Sequence, residues 1–196
     1  MKKTFIAVVA LAFVGLIGSS VVYDGAQAGE GHMYVGATKC STCHKKPEVG
    51  EQFPLWEKSA HAGAFATLAT DKAKEIATAK GLGNPQEAAE CLKCHVTGHG
   101  AAAEMLGTKY DATEGVTCEA CHGAGGDYYK KKTMVSIMSG EIKGDTVGLM
   151  VPDEKTCKGC HNDGSPTFKE FNYEEMVKKI AHPMPAAKKA EYTAGG

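Results

Sequence analysis

The sequence predicts a small, mostly α-helical fold with few or no strands. Its 196 residues show little of the alternation between apolar and polar positions that is typical of strands. Several stretches carry instead the residues that begin and end helices. A short motif of cysteines and a histidine also recurs four times, and the helices are expected to be organised around it.

Two helical stretches lie in the first half of the chain. Residues 55–80 are rich in Ala, Leu, Lys and Glu, with Pro54 before them and Gly81 after them. This is the order expected at the two ends of one helix. The next stretch, "NPQEAAECLKCH", has three residues typical of a helix start: Asn84 as N-cap, Pro85 at the first helical position and Glu87 to complete a capping box. We expect this second helix to carry the second copy of the motif.

A third helix is predicted near the end of the chain, in "NYEEMVKKIAHP". Asn172 and Glu175 have the spacing of another capping box. Pro183 cannot continue a helix, so the helix is expected to stop just after His182.

The repeated motif is Cys-x-x-Cys-His, and its four copies use all eight cysteines. The copies are Cys40, Cys43 and His44; Cys91, Cys94 and His95; Cys118, Cys121 and His122; and Cys157, Cys160 and His161. Two thiols at this spacing add to the two vinyl groups of one haem, and the following imidazole binds its iron. A zinc ribbon would need neither the histidine nor four copies, and bridges between such adjacent cysteines are usually strained redox devices. The motif therefore predicts four covalently attached haem c groups.

The start of the chain indicates export. Residues 1–28 contain Lys2 and Lys3, an apolar stretch, and Ala26, Gln27 and Ala28 before Gly29, which is the order of a secretory signal peptide. An uncleaved membrane anchor is the alternative, but Gly and Ser interrupt the apolar run. We expect residues 29–196 to form one exported tetrahaem cytochrome c domain, periplasmic or secreted, with no membrane span.

The composition indicates that the haems form much of the core. The chain is short and only 7% of its residues are aromatic, so its own side chains supply little apolar interior. Residues 130–152 either wrap haem faces or form a mobile loop. The net charge is −1 with no Arg, and the propionates of four haems would make the protein anionic, which argues against a nucleic-acid partner.

The residues that flank the motifs carry a family resemblance. The sequence words are "CSTCHKK" with "SAHAGAFATL", "CLKCHVTGHG", "GVTCEACHGAGG", and "CKGCHNDGSPTF" with "FNYEEMVKKIAH", which together span roughly residues 35–182. This pattern resembles the cytochrome c-554 family of tetrahaem electron-transfer proteins. The resemblance implies a mostly helical fold with closely packed haems, three irons that have two axial ligands each and one iron that is left open.

The resemblance also implies axial ligands beyond the motifs. His61 in "SAHA" and His182 before Pro183 match distal ligands of the family. Each also fits on its own, since a histidine within or at the end of a helix can present a nitrogen to a neighbouring iron. The alternative for each is an exposed or packed side chain.

One distal ligand of the family has no histidine counterpart. The region after the third motif reads "DYYKKKTMVSIMSG". Met134 is predicted to replace the missing imidazole, because a thioether can bind haem iron, with core packing as the alternative for Met134 and Met138. His32 is the competing ligand, and its alternative is a disordered residue near the mature N-terminus.

The family's open iron corresponds to the haem of the second motif, on His95. His99 follows by only four residues, so its tether is too short to reach the opposite face of the same haem.

The sequence thus predicts an electron carrier with a redox protein as donor and another as acceptor, and not an enzyme. Two other classes of protein are alternatives. One is a multihaem reductase that acts on a small nitrogen species at an open iron, and the other is a subunit of an extracellular haem filament.

Overall fold

The computed structural model describes residues 31–182 and residue 184. The predicted signal peptide, residues 1–28, and Pro183 lie outside this part of the chain, so the predictions made for them stay predictions. Within the described part, no helix is both long and apolar enough to cross a membrane.

The described residues form short helices joined by turns, as expected for a mostly α fold. The α-helices are α1 (Ala37–His44), α2 (Gln52–Glu57), α3 (Ala64–Thr67), α4 (Asp71–Ala79), α5 (Ala89–His95), α6 (Cys118–His122), α7 (Lys131–Met138), α8 (Glu154–Lys158) and α9 (Tyr173–Ile180). Short 3₁₀ segments span Pro47–Val49, Ala103–Met105, Ala112–Glu114 and Gly144–Val147. The β pairing among these residues is one isolated bridge between Tyr34 and Leu106. Helix α1 packs against α2 and α6, and α3 packs against α5.

The single helix predicted over residues 55–80 is wrong, because the structure divides this stretch into α2, α3 and α4. The break before α3 is a turn with a tertiary contact. The carbonyl oxygen of His61 accepts from the backbone N–H groups of Ala64 (3.1 Å) and Val116 (3.0 Å), so it closes a local turn and joins that turn to a distant segment. The second break is local: the Thr70 side chain accepts from the N–H of Ala73 and begins α4.

The second predicted helix starts later than expected. Asn84 caps a turn, since its side-chain oxygen accepts from the N–H of Gln86 (3.1 Å), and α5 begins only at Ala89. The third helix begins as predicted, since Asn172 caps α9 by accepting from the N–H of Glu175 (3.2 Å). It ends at Ile180, two residues before the predicted end at His182. The connection over residues 130–152 contains α7 and a 3₁₀ turn.

A buried carboxylate holds the first and third motifs together. Glu119 lies between the two cysteines of the third motif and is 3% exposed. Its Oε1 accepts from the N–H groups of Val35 (2.8 Å) and Gly125 (2.7 Å), and its Oε2 accepts from the N–H of Gly36 (2.8 Å). Gly36 precedes α1, so this carboxylate fixes the start of the helix that carries the first motif.

The apolar interior of the described chain is thin. Its buried hydrophobic residues are Tyr34, Val35, Ala37, Ala64, Leu68, Ala77, Val96, Ala124, Tyr128 and Ile137. Several are alanines, which bury little surface each, and none of the larger ones is completely enclosed. Side-chain packing within residues 31–182 therefore supplies only a modest share of the stability that a domain of this size needs.

Replacing Glu119 by Gln is expected to destabilise the protein. In the variant, the side-chain NH₂ group would face a backbone N–H that donates to a carboxylate oxygen in the wild type. That backbone N–H would lose its acceptor, and an unsatisfied buried donor costs about 1–3 kcal/mol. Chemical unfolding of the holoprotein would measure this loss against Glu104→Gln, an exposed position where little change is expected. Equal stability of the two variants would contradict the role given to Glu119.

Candidate haem-binding sites

The four motifs lie at the ends of short helices. Helices α1, α5 and α6 end at His44, His95 and His122, and α8 ends at Lys158, just before Cys160 and His161. Residues three apart on a helix share one face, so the two cysteines of a motif can reach one ligand together. All eight cysteines are free thiols and partly buried. The described residues form neither a disulfide nor a cluster of three or more His, Cys, Asp or Glu that could hold a metal ion.

The motifs meet in pairs through their sulfur atoms. The interaction of Cys40 with Cys118 raises the pKa of the Cys40 thiol and lowers the pKa of the Cys118 thiol, so the first and third motifs are neighbours. The interaction of Cys94 with Cys160 lowers the pKa of the Cys94 thiol and raises the pKa of the Cys160 thiol, so the second and fourth motifs are neighbours as well. Attachment points that are far apart in sequence are therefore adjacent in space.

Three motif histidines have their ring orientation fixed by an oxygen acceptor. Nδ1 of His95 lies 2.7 Å from the carbonyl oxygen of Ala64, and Nδ1 of His122 lies 3.2 Å from the carbonyl oxygen of Met150. In His44 it lies 3.2 Å from the side-chain oxygen of Gln52. Oxygens of this kind only accept, so Nδ1 carries the proton and Nε2 keeps its lone pair for a metal.

The fourth motif histidine is held by an aromatic ring. His161 stacks on Phe171 with ring centres 4.8 Å apart and an angle of 15° between the planes. Burial lowers the pKa of His161. The ring is thus fixed and favoured in its neutral form, which is the form that binds iron.

Two motif histidines each face a second imidazole. The ring centres of His61 and His161 are 6.0 Å apart, and those of His122 and His182 are 5.8 Å apart. Two imidazoles on opposite sides of one metal, with metal–nitrogen bonds of about 2.0–2.1 Å, have ring centres roughly 6.4 Å apart. Burial lowers the pKa of His61 and of His122, so both favour the neutral form. The residues present therefore fit two irons with two histidine ligands each.

The remaining candidates lie elsewhere. Met134 and Met138 are half-buried residues of α7, on either side of the buried Ile137. His99 is exposed. The region that lacks the family's histidine contains Tyr128, which is buried and donates to the carbonyl oxygen of Gly123 (2.7 Å).

His32 is predicted from the sequence to be either an iron ligand or a disordered residue near the mature N-terminus, and the second of these predictions is wrong. Its Nδ1 lies 2.6 Å from Oδ2 of Asp127, and its ring packs against Gly148. A Cβ atom at Gly148, where φ is +81°, would approach the ring to 2.6 Å. His32 is therefore an ordered side chain with a fixed carboxylate partner.

Sequence reasoning missed three residues that shape these sites: Gln52, Glu119 and Phe171. A charged residue between two motif cysteines is a signal that could have identified Glu119, because an acid in such a position needs several donors once it is buried. Gln52 and Phe171 have no comparable signal, since each acts only through a contact with a histidine of another segment.

The chain is similar to known proteins of one kind. The family described as "Cytochrome c554 and c-prime" matches residues 39–123. Cytochrome c-554 of Nitrosomonas europaea is 27% identical over 176 residues, which cover 75% of this chain and 73% of the relative. The solved structure of the reduced state of cytochrome c554 from the same organism superposes with a TM-score of 0.53 and 26% identity, covering 75% of this chain and 82% of that one.

Proposed function

Because the chain belongs to the cytochrome c-554 family, we propose that it is an exported tetrahaem electron carrier that passes single electrons between redox partners. Multiple covalently bound haem c groups and a part in electron transfer follow from the family. The number of haems, the ligands of each iron, the site of action and the partners are the finer parts of the proposal.

The observation that carries the proposal is the pair of facing imidazoles at His61 with His161 and at His122 with His182. Each pair joins a motif histidine to a histidine from a distant segment, and each has a separation suited to one shared metal. These are also the two distal histidines that the sequence resemblance implies. We assign His61 to the haem of the fourth motif and His182 to the haem of the third.

The roles of the chain follow from these contacts. Haem c, when bound, supplies a one-electron couple at its iron. The eight motif cysteines anchor the four haems covalently, and the four motif histidines bind the irons through Nε2. Cys40 lies beside Cys118 and Cys94 beside Cys160, so attachment points of different motifs are neighbours, which favours electron transfer between the haems they carry. Met134 is proposed as the second ligand of one iron.

The proposed site of action is the periplasm or cell exterior, because the predicted signal peptide and the haem-attachment motif both require export. The proposed partners are redox proteins that serve as donor and acceptor. Neither alternative, a reductase acting at an open haem iron or a filament subunit, is favoured by the family comparison.

Intact mass spectrometry is expected to find the chain after cleavage behind Ala28 plus four haems. Thioether bonds survive denaturation and acid extraction, so the colour should stay with the protein. A protein with fewer haems and zinc in the remaining motifs would contradict the proposal.

Replacing His61 by Ala is expected to raise by one the number of haems that are high-spin when ferric and bind carbon monoxide when ferrous. The variant removes one imidazole from the proposed pair and leaves its iron with His161 alone. His99→Ala is the matched control, because His99 is exposed and should leave the spectra unchanged. Identical spectra for His61→Ala and the wild type would refute the ligand assignment.

Met134→His is expected to lower one of the four reduction potentials. Thioether sulfur favours the ferrous state more than imidazole does, so exchanging them lowers the potential of the iron concerned. A spectroelectrochemical titration would compare this variant with Met138→His, one turn along the same helix. If neither variant moves a potential, Met134 belongs to the packing of α7 and does not bind iron.

A further inference from the structure

The turn between the first motif and α2 is held in an unusual conformation. The carbonyl oxygen of Lys46 accepts from three successive N–H groups, those of Val49 (3.0 Å), Gly50 (3.2 Å) and Glu51 (3.2 Å). Glu51 has φ 52°, and within the described part of the chain it is the one residue other than glycine with a positive φ. A left-handed conformation is unfavourable for such a residue, because it brings Cβ too close to the following carbonyl oxygen. Backbone strain of this kind persists where surrounding contacts demand it, often at functional sites.

The residue that follows this strained position is Gln52, the first residue of α2. Its Nε2 donates to the carbonyl oxygen of Val49 (2.5 Å). Because a carbonyl oxygen can only accept, this bond fixes which end of the amide faces Val49. The other end, Oε1, then faces Nδ1 of His44 at 3.2 Å.

The amide orientation in turn fixes the proton of His44. Oε1 of Gln52 can only accept, so Nδ1 of His44 carries a hydrogen and Nε2 has the free lone pair. An acceptor on Nδ1 also draws electron density toward Nε2 and makes the imidazole a stronger ligand. A stronger donor stabilises ferric iron more than ferrous iron and so lowers the reduction potential.

His44 differs from two of the other motif histidines in the kind of acceptor that its Nδ1 faces. His95 and His122 bond to backbone carbonyls of Ala64 and Met150, which a substitution does not change. Gln52 is a side chain, and it can be removed without touching the motif. The acceptor beside the first motif is therefore a side chain that a single substitution can remove.

We propose that Gln52 is a positioning residue that fixes the ring of His44 and lowers the reduction potential of the haem on the first motif. The inference rests on the proposed function, since it requires a haem held by Cys40, Cys43 and His44. The strained turn ends where Gln52 begins α2, and the bond from Nε2 of Gln52 to Val49 holds the amide against His44.

The test measures the four reduction potentials of the holoprotein in variants whose side chain at position 52 cannot accept a hydrogen bond from His44. Gln52→Leu removes the acceptor and should raise one potential. The expected size is on the order of tenfold in the ferric-to-ferrous ratio at a fixed potential, or about 59 mV for a one-electron couple.

Gln86→Leu is the matched control. Gln86 is also a half-buried glutamine whose Nε2 donates to a backbone carbonyl, that of Phe65 (3.5 Å). Its oxygen has no part in the proposal, so the four potentials should stay at their wild-type values. A shift in this control as large as in Gln52→Leu would mean that any loss of a buried amide moves the potentials, and the proposal would fail.

Gln52→Met, which keeps the unbranched shape of the side chain, serves as a second acceptor-free variant and should behave as Gln52→Leu. The proposal is overturned by a downward shift in either acceptor-free variant, by no shift in both, or by loss of folding in both, because none of these outcomes gives Gln52 a part in lowering the potential. Haem counts by mass separate this failure from that of the proposed function. A wild type without haem on the first motif would contradict the proposed function itself.

Discussion

The hydrogen bonds of the buried Glu119 carboxylate are the interaction on which the arrangement of the first and third motifs depends. Burial raises the pKa of Glu119, and the bonds from the N–H groups of Val35, Gly125 and Gly36 act against that rise. Glu114 adds a second carboxylate at the same place, since it accepts from the N–H of Ala37 (2.9 Å) at the start of α1. Two acids from one segment thus hold the first motif helix beside the third, and the contact between the motif thiols follows from that placement.

Polar anchors of this kind matter more here than in most domains because the chain buries few large side chains of its own. Short helices without a broad apolar face gain little from packing on one another. The described fold relies on hydrogen bonds to backbone groups, such as the indole N–H of Trp56 on the carbonyl oxygen of Val116 (2.8 Å). Covalently bound haems, on the proposed function, would supply the apolar surface that the side chains lack.

The sequence alone predicts the local features of this structure and misses those that depend on tertiary contacts. The helical class and the Asn172 cap of α9 follow from short-range signals and are confirmed, and the second motif lies on a helix as predicted, although α5 begins only at Ala89. The helix predicted over residues 55–80 is broken at a turn whose His61 carbonyl also bonds to Val116, and no property of the stretch itself reveals that contact. The partner of each distal histidine, and the acceptor role of Gln52, likewise depend on chain segments brought together only by folding.

A crystal structure of the holoprotein with iron located by anomalous scattering would test whether the chain positions pairs of histidines to share one iron. We expect one iron between the rings of His61 and His161 and another between those of His122 and His182, each bound through two nitrogens. Irons held by the motif histidines alone, with His61 and His182 turned away from them, would contradict this arrangement.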